Sequence, residues 1–267
     1  MPTFTGNPFS NFYKRILQIN QSGNSAPDST TRNVQGGDGT STAISLSDDA
    51  LSVQPVTDNT TGTMLVKQSG GNNILAVDTT NSKVLVGASQ VAANTQYVHF
   101  GNTANDFAAF AAETHYAIPF GGIGGGSSGA NSIEFGTATD PATSFTSSDT
   151  NSQYASQISK MMWYIPDNIT IDAVYHIEGA DNATGDTTRM HLFSYDFTSG
   201  ATASLTNGVL IAHNNDITNA GNEQSYLGSW TVDSADVNSG KVILCFFRSD
   251  TINSDYSINA TVKYHIR

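Results

Sequence analysis

The chain is short of cysteine, of charge and of long apolar runs, and each shortage excludes a class of protein. A single cysteine in 267 residues excludes an intrachain disulfide. That residue, Cys245, lies within the apolar run VILCFF, where we expect a small buried hydrophobe rather than a nucleophile. No segment approaches the ~20 apolar residues that a membrane span needs, and no apolar stretch near the N-terminus predicts a secretory signal.

Charge is scarce and unevenly distributed. Charged residues make up 13% of the chain, and the net charge of −12 is divided between residues 1–35, at +2, and the remainder, at −14. An acidic body repels nucleic acid and membranes, and no basic patch with interleaved aromatic residues opposes that prediction. The basic segment could dock on an acidic protein surface, or could be a solvated face with no partner.

Motifs that carry catalysis or bind cofactors are also missing. Polysaccharide-cleaving enzymes use paired carboxylates, but no spacing singles out a pair among Asp167, Asp172, Glu178, Asp181, Asp186 and Glu223. HExxH and GxSxG patterns are absent, and the GxGxxG within Gly121–Gly129 has neither a parallel strand before it nor a helix after it, so it predicts a flexible loop. Asp181 and Asp186 could hold Ca²⁺, but the EF-hand pattern is absent and no metal is predicted. We therefore expect a protein that is not an enzyme and has no cofactor.

Aromatic residues leave a lectin-like surface open. Rings that stack on sugars are the candidates, and those in the C-terminal part are Trp163, Tyr164, Tyr175, Tyr195, Tyr226 and Trp230. Core packing is the favoured role of any single one of them, so no glycan-binding residue is assigned from the sequence.

What the chain does contain is a run of strand-like segments from Met161 to Arg267. Ile169–Ile177 and Tyr256–Ile266 alternate with a period of two, which predicts one buried and one wet face for each. The apolar sets are Ile169, Ile171, Ala173, Tyr175 and Ile177 in the first segment, and Ile258, Ala260, Val262, Tyr264 and Ile266 in the second. Val242–Phe247 is apolar throughout, which predicts a strand covered on both sides. With Asn-, Asp- and Gly-rich turns between the strands, the pattern predicts a β-sandwich of jelly-roll type over residues 95–267.

A second β-rich module is predicted over residues 36–94. Its five short strands each carry two apolar residues on one face, namely Ile44 and Leu46, Leu51 and Val53, Met64 and Val66, Leu75 and Val77, and Val84 and Val86. A sheet with so few apolar residues has too small a core to stand alone. We expect three chains to wrap about one axis into a trimeric shaft, the alternative being a monomeric meander that leans on the next domain.

The first 35 residues predict a short helix that anchors the protein. Asn7 and Pro8 form a helix-start signal, and one apolar stripe follows at Phe9, Phe12, Tyr13, Ile16 and Leu17, with Lys14 and Arg15 beside it. A helix of about ten residues is marginal alone in water, so the stripe needs a partner. It could fold back on the body, but we favour pairing with copies of itself together with insertion into another protein.

The segments NPFSNFYKRILQIN, ISLSDDALSVQP and LAVDTTNSKVLVG resemble virion structural proteins of tailed bacteriophages, particularly marine phages. The resemblance rests on residues 1–90 and is architectural beyond them. It implies an N-terminal attachment peptide, a trimeric β-rich shaft and a β-sandwich tip.

The resemblance also implies a function and a location. It implies a non-enzymatic head fibre or decoration protein, assembled in the host cytoplasm, held on capsid or tail proteins, and able to adhere weakly to a host-surface glycan. The absence of a large adaptor domain at the N-terminus favours the head. The alternative is a receptor-binding tail fibre, and a polysaccharide-degrading tailspike is less favoured.

Overall fold

The computed structural model describes residues 16–21, 27–57, 61–87, 91–101, 111–121, 134–145, 158–201, 204–251 and 255–267. The chain divides into two compact units, Met1–Ala93 and Asn94–Arg267, called the first and second unit below. Every named element within the described ranges is a β-strand, so the predicted β class is confirmed. Among the described residues no helix has the length and apolarity that crossing a membrane requires.

The first unit contains two antiparallel four-stranded sheets. Sheet I has the order β1-β2-β3-β4, formed by Leu17–Ile19, Arg32–Gly36, Ser41–Leu46 and Leu51–Val53. Sheet II has the order β5-β6-β7-β8, formed by Met64–Lys67, Asn73–Asp78, Lys83–Val86 and Val91–Ala92. The five strands predicted from the sequence are confirmed as β3 to β7, and β1, β2 and β8 add to them. Only two apolar residues described in this unit, Val34 and Ala76, are buried.

The predicted N-terminal helix is not seen. Phe9, Phe12, Tyr13, Lys14 and Arg15 lie outside the described residues, Ile16 precedes the first strand, and Leu17 begins it. Strand β1 pairs in register with β2, with Ile19 opposite Val34. The local sequence Leu-Gln-Ile also alternates with a period of two, and ladder hydrogen bonds satisfy its backbone where a helix of about ten residues would be marginal.

The second unit contains two larger sheets. Sheet III has the order β16-β12-β20-β9 with β18 paired to β12, and its strands are Thr95–Gly101 (β9), Ile169–Asp181 (β12), Gln224–Ser229 (β16), Asp236–Val237 (β18) and Asp255–Ile266 (β20). Sheet IV has the order β10-β19-β13-β14-β17 with β11 and β15 beside it, and its strands are Tyr116–Ile118 (β10), Trp163–Tyr164 (β11), Thr187–Phe197 (β13), Leu205–His213 (β14), Ile217–Thr218 (β15), Thr231–Val232 (β17) and Lys241–Ser249 (β19).

The two sheets of the second unit share one apolar core. Inward side chains of β12 and β20, such as Ile171 and Val262, lie in the same buried cluster as Leu192 of β13 and Cys245 of β19. From β12 onward, the strands of six or more residues change sheet at each step except between β13 and β14, which form a hairpin within sheet IV. This order is consistent with the predicted jelly-roll-like sandwich.

Sheet IV is covered on both faces, whereas part of the outer face of sheet III is open. In β19, Ile243, Cys245 and Phe247 face the shared core. The alternate residues Val242, Leu244 and Phe246 pack in a second cluster with Phe135, Phe145, Ile158 and Met161. The predicted strand covered on both sides is therefore confirmed, because these four residues form the outer cover. Sheet III instead exposes Tyr175, Ile177 and Leu227.

A β-bulge changes which side chains of β12 face inward. Ile169 and Ile171 are buried as predicted, but the pairing with β20 shifts register between Ile171 and Ala173. From there the inward residues are Val174, His176, Glu178 and Ala180, and the prediction that Tyr175 and Ile177 are buried is wrong. One extra residue in a strand exchanges its two faces beyond that point. The bulge is therefore the reason that two polar side chains enter the core and two apolar ones leave it.

Candidate functional site

An open groove lies at the end of sheet III in the second unit and is lined by described residues. Its volume is about 600 Å³, and its lining is Gly179, Ala180, Asp181, Glu223, Gln224, Ser225, Asp255, Tyr256 and Ser257. These residues come from three neighbouring strands. Gly179 pairs with Ser225 of β16 and with Ser257 of β20, and Asp181 pairs with Asp255. The groove is thus built on a continuous piece of sheet.

A glycine on the central strand creates the depression in the groove floor. Gly179 lies between two serines of the adjoining strands, and a Cβ atom built on it would lie 2.6 Å from Ser257 Oγ. Such a contact is too close for any other residue unless the serine side chain moves. The missing side chain therefore lowers the middle of the floor and leaves a hydroxyl on each side of it.

The described lining contains three carboxylates, those of Asp181, Glu223 and Asp255, and no lysine or arginine. Loop contacts hold this rim in place. The Gln224 side chain accepts a hydrogen bond from the Ala220 amide (2.8 Å) and one from the Tyr226 hydroxyl, and the Ala183 amide donates to the Asn222 carbonyl (3.2 Å). The rim is therefore fixed by the chain itself, and it offers acceptors for hydroxyl or ammonium groups.

An apolar patch adjoins the groove on the same outer face. We call Tyr175, Ile177 and Leu227 the outer patch; they are 45%, 55% and 79% exposed. Ile177 pairs with Leu227 across β12 and β16, two residues along from the pair of Gly179 and Ser225. Side chains two residues apart share a face of a strand, so the patch and the floor form one surface. A ligand with hydroxyl groups on one part and C–H surface on another would match it.

The structure separates the carboxylates that the sequence offered as catalytic candidates. Asp181 and Glu223 meet at the groove, but Asp167 and Asp172 lie outside its lining, and Glu178 and Asp186 are buried. Both oxygens of Glu178 lie 3.0 Å from Thr188 Oγ1 across the core, and burial raises the pKa of this carboxyl to about 7. Asp186 accepts hydrogen bonds from Thr251 Oγ1 (2.8 Å) and the Tyr256 hydroxyl (3.0 Å). These two carboxyls are therefore hydrogen-bonded inside the domain and are not part of the groove surface.

The aromatic candidates for sugar stacking separate in the same way. Trp163, Tyr195 and Trp230 are buried, and Tyr226 is half-buried. Tyr164 and Tyr175 are exposed, and of these two Tyr175 belongs to the outer patch. The buried rings have packing and hydrogen-bonding roles; for example, Trp230 Nε1 donates to His176 Nδ1 at 2.7 Å.

Four histidines are buried inside the second unit, namely His115, His176, His191 and His265. His115 and His191 pack edge to face with ring centroids 5.0 Å apart, and His191 Nε2 lies 3.4 Å from Asp140 Oδ1. Burial is the main cause that lowers the pKa values of His115, His176 and His191. The pKa falls to about 4 for His176 and to about 3 for His191, and it is also lowered from 6.5 for His115. These three rings are therefore neutral near pH 7. Nowhere in the described ranges do three or more His, Cys, Asp or Glu form a group that could hold a metal ion.

Some residues that the sequence analysis singled out lie outside the groove or outside the described ranges. The glycine-rich segment is described only at Gly121. Seven residues were predicted to anchor the chain. Of these, Ile16 is half-buried and Leu17 is exposed on β1, and Phe9, Phe12, Tyr13, Lys14 and Arg15 lie outside the described ranges. The sequence missed Gly179, Ser225, Asp255 and Ser257. An isolated glycine within a strand pattern was the one available signal, since it indicates a bulge or a close approach.

No protein-family model matches this chain, and a search of curated proteins finds no match either. The site therefore has to be interpreted from its own geometry.

Proposed function

We propose that this chain is a non-enzymatic structural appendage of a tailed-bacteriophage virion, of the head-fibre or decoration type. In this proposal the N-terminal segment attaches the chain to capsid or tail proteins, the first unit forms a homotrimeric shaft, and the second unit is the displayed tip. The tip is a jelly-roll-like sandwich whose outer surface adheres weakly to a host-surface glycan.

The observation that supports the proposal is the unequal burial in the two units. The second unit completes a core between its own two sheets, which suits a domain displayed alone in solvent. The first unit buries only Val34 and Ala76 among its described apolar residues and exposes many others. A stalk made of several copies needs such uncovered faces, and a displayed tip does not.

A glycan is the ligand class that fits the groove. Its serines and carboxylates can donate to and accept from sugar hydroxyls, and the outer patch offers Tyr175 and two aliphatic side chains to the apolar face of a sugar ring. This same feature favours the alternative function, a receptor-binding tail fibre of similar build. The position of the protein in a density map of the intact particle separates head from tail.

Particle occupancy tests the attachment part of the proposal. Particles are purified from infected cells that express each variant, and copies per particle are counted. We expect Phe12→Ala with Ile16→Ala to lower occupancy at least ~10-fold, since the particle would lose contact with two apolar side chains that the proposal places in its binding pocket. Asn11→Ala with Gln18→Ala, polar residues of the same segment, is the matched control. Normal occupancy by the first double variant would show that the anchor lies elsewhere.

Binding to isolated host envelopes tests the tip. Asp181→Asn with Glu223→Gln keeps the shape of the groove but removes two acceptor charges, and we expect weaker binding by ~5-fold or more. Asp48→Asn with Asp167→Asn removes the same charge from exposed sites outside the groove and should leave binding unchanged. If neither the wild type nor any variant binds host envelopes, the adhesive role is wrong. The structural role is tested separately, by the number of copies per particle.

A further inference from the structure

One face of sheet II in the first unit is apolar across three strands. The register aligns Met64, Val77 and Val84 in one row and Val66, Leu75 and Val86 in another. Residues two apart along a strand share a face, so these six side chains form one surface. We call it the aliphatic face. Every member is an aliphatic residue or methionine, and none carries charge.

The aliphatic face is open in the single chain. Met64, Val66, Val84 and Val86 are each between 40% and 43% exposed, and Leu75 and Val77 on the central strand are half-buried. A monomeric protein rarely leaves a contiguous apolar surface of several hundred Å² in water. Met64, Val66, Val84 and Val86 keep these exposed fractions within the whole chain, so no described part of the chain covers them.

The sheet presents this face as a preformed surface. The turn between β6 and β7 is held by Asp78, whose Oδ1 accepts from the Asn81 amide (3.0 Å) and whose Oδ2 accepts from Asn81 Nδ2 (2.7 Å). Ser82 in the same turn adopts a φ of 55°. These contacts fix the register of β6 against β7 within one chain. Little ordering is then left for an association step, which lowers its entropic cost.

We propose that the aliphatic face packs against the same face of further copies of this chain. The proposal rests on the oligomeric shaft suggested above and names the surface that forms it. Two observations favour a copy over a foreign partner. Sheet I also has an apolar face, since register places Ile44, Leu46, Leu51 and Val53 on one face and Ser45 and Ser52 on the other. A partner that matches both sheets along the unit is most simply the same unit again.

Charge is the second observation. The first unit carries five basic and six acidic residues, a net charge of −1, whereas the second carries six basic and seventeen acidic residues, a net charge of −11. Copies that meet through the first unit encounter little net repulsion, but copies that meet through the second would repel one another. The apolar surface and the neutral unit coincide, so association between copies is directed to the first unit.

The experiment compares two faces of the same sheet in the full-length protein. Val84 lies on the aliphatic face and Ile74 on the opposite one, and both are exposed in the single chain. Light scattering should give the wild type a mass that is a multiple of the 28.2 kDa chain mass. We expect Val84→Asp to give the single-chain mass and Ile74→Asp, with the same added charge, to keep the wild-type mass.

Two further variants distinguish loss of the interface from unfolding of the strand. Val84→Thr keeps the β-branched shape that strands favour but places a hydroxyl in the interface, so the dissociation constant should rise ~10-fold or more. Val66→Cys should form a disulfide between copies under mild oxidation, and Ile74→Cys should not. The native Cys245 is fully buried and does not interfere.

The proposal is overturned if the wild type has the single-chain mass, or if Ile74→Asp dissociates the assembly and Val84→Asp does not. Its failure is distinct from failure of the virion proposal, because purified protein is used throughout. An assembly that Val84→Asp dissociates supports the interface whether or not the protein joins a particle.

Discussion

In the second unit, two sheets bury each other and a covering segment buries the far side of one of them, while in the first unit two small sheets each leave an apolar face in water. Both units are made of antiparallel strands with similar local patterns. They differ in strand length and in what lies opposite each sheet. Strands of 9 to 13 residues such as β12, β13, β19 and β20 can each supply four or more inward side chains, whereas β3 to β7 have 3 to 6 residues and supply two. A core can therefore close within one chain only in the second unit.

The largest expected effect is a charge placed in the core of the second unit. Val262 on β20 is fully buried, so Val262→Asp buries an unpaired carboxylate and should lower the free energy of unfolding by roughly 4 kcal/mol or more. Asn259→Asp adds the same charge on the exposed face of the same strand and should have little effect. Urea unfolding followed by tryptophan fluorescence measures this, because both tryptophans belong to the second unit. A wild-type midpoint for Val262→Asp would mean that the inward face of β20 is misassigned.

Acid should destabilise the second unit and spare the first. All six histidines lie in the second unit, and burial lowers the pKa values of His115, His176 and His191 from 6.5. As pH falls below 6.5 the unfolded chain takes up protons that the folded chain refuses, so stability is lost between about pH 6.5 and the folded values near 3 to 4. We expect a loss on the order of 2–4 kcal/mol by about pH 4.5.

Fluorescence-detected unfolding across that range measures the loss, and a matched pair of variants locates it. His176→Gln should flatten the dependence of the unfolding midpoint on pH, because it removes one titrating group from the core. His99→Gln, at an exposed position, should leave it unchanged. Equal slopes for the two variants would contradict the assignment to buried rings.

The bulge in β12 predicts unequal effects for two neighbouring aliphatic residues. Val174 is buried and Ile177 is exposed, although the simple alternation placed Ile177 inside. Val174→Ala should cost about 2 kcal/mol of unfolding free energy, whereas Ile177→Ala should cost less than ~0.5 kcal/mol. The urea unfolding midpoints of the two variants, compared with that of the wild type, measure this difference. The opposite ranking would indicate that β12 continues its alternation through Ala173 without a bulge.

The smallest effect concerns the buried carboxyl that the bulge turns inward. Burial raises the pKa of Glu178 from 4.5 to about 7, so the stability of the folded chain falls as pH rises from 4.5 to 7 and stays at the lower level above 7. Glu178→Gln should raise the unfolding free energy by roughly 1–2 kcal/mol at about pH 8 and change it little at about pH 5. Glu223→Gln on the exposed rim is the control. A gain of equal size at both pH values would exclude titration of Glu178 as the cause.

The strands of the first unit could be predicted because each signals itself locally. In β3 to β7 the predicted pairs of apolar residues do share a face, and the turns between them contain the expected Gly, Asn and Asp residues. Strand β20 was predictable for the same reason, and Ile258, Ala260, Val262 and Tyr264 are all buried. The predicted helical stripe ended at Leu17, but the structure begins the strand Leu17–Ile19 at that residue, where the local alternation also fits a strand.

Most of the groove could not be predicted. Asp181 and Glu223 were candidates among several acidic residues, and nothing local distinguished them from Asp167 or Asp172. The groove exists because β12, β16 and β20 pair side by side, which brings Gly179, Ser225 and Ser257 together from positions far apart in the chain. Only a prediction of the strand pairing, in register, could have found it.

The sequence by itself determined that this is a β protein and that each of the strands β3 to β7 has two apolar residues on one side. The tertiary structure alone decided which faces are covered. Alternation is a local property of a strand, but burial depends on what packs against it, and one extra residue at the bulge after Ile171 exchanges inside and outside for the rest of β12. That exchange places His176 and Glu178 in the core and Ile177 in solvent beside the groove.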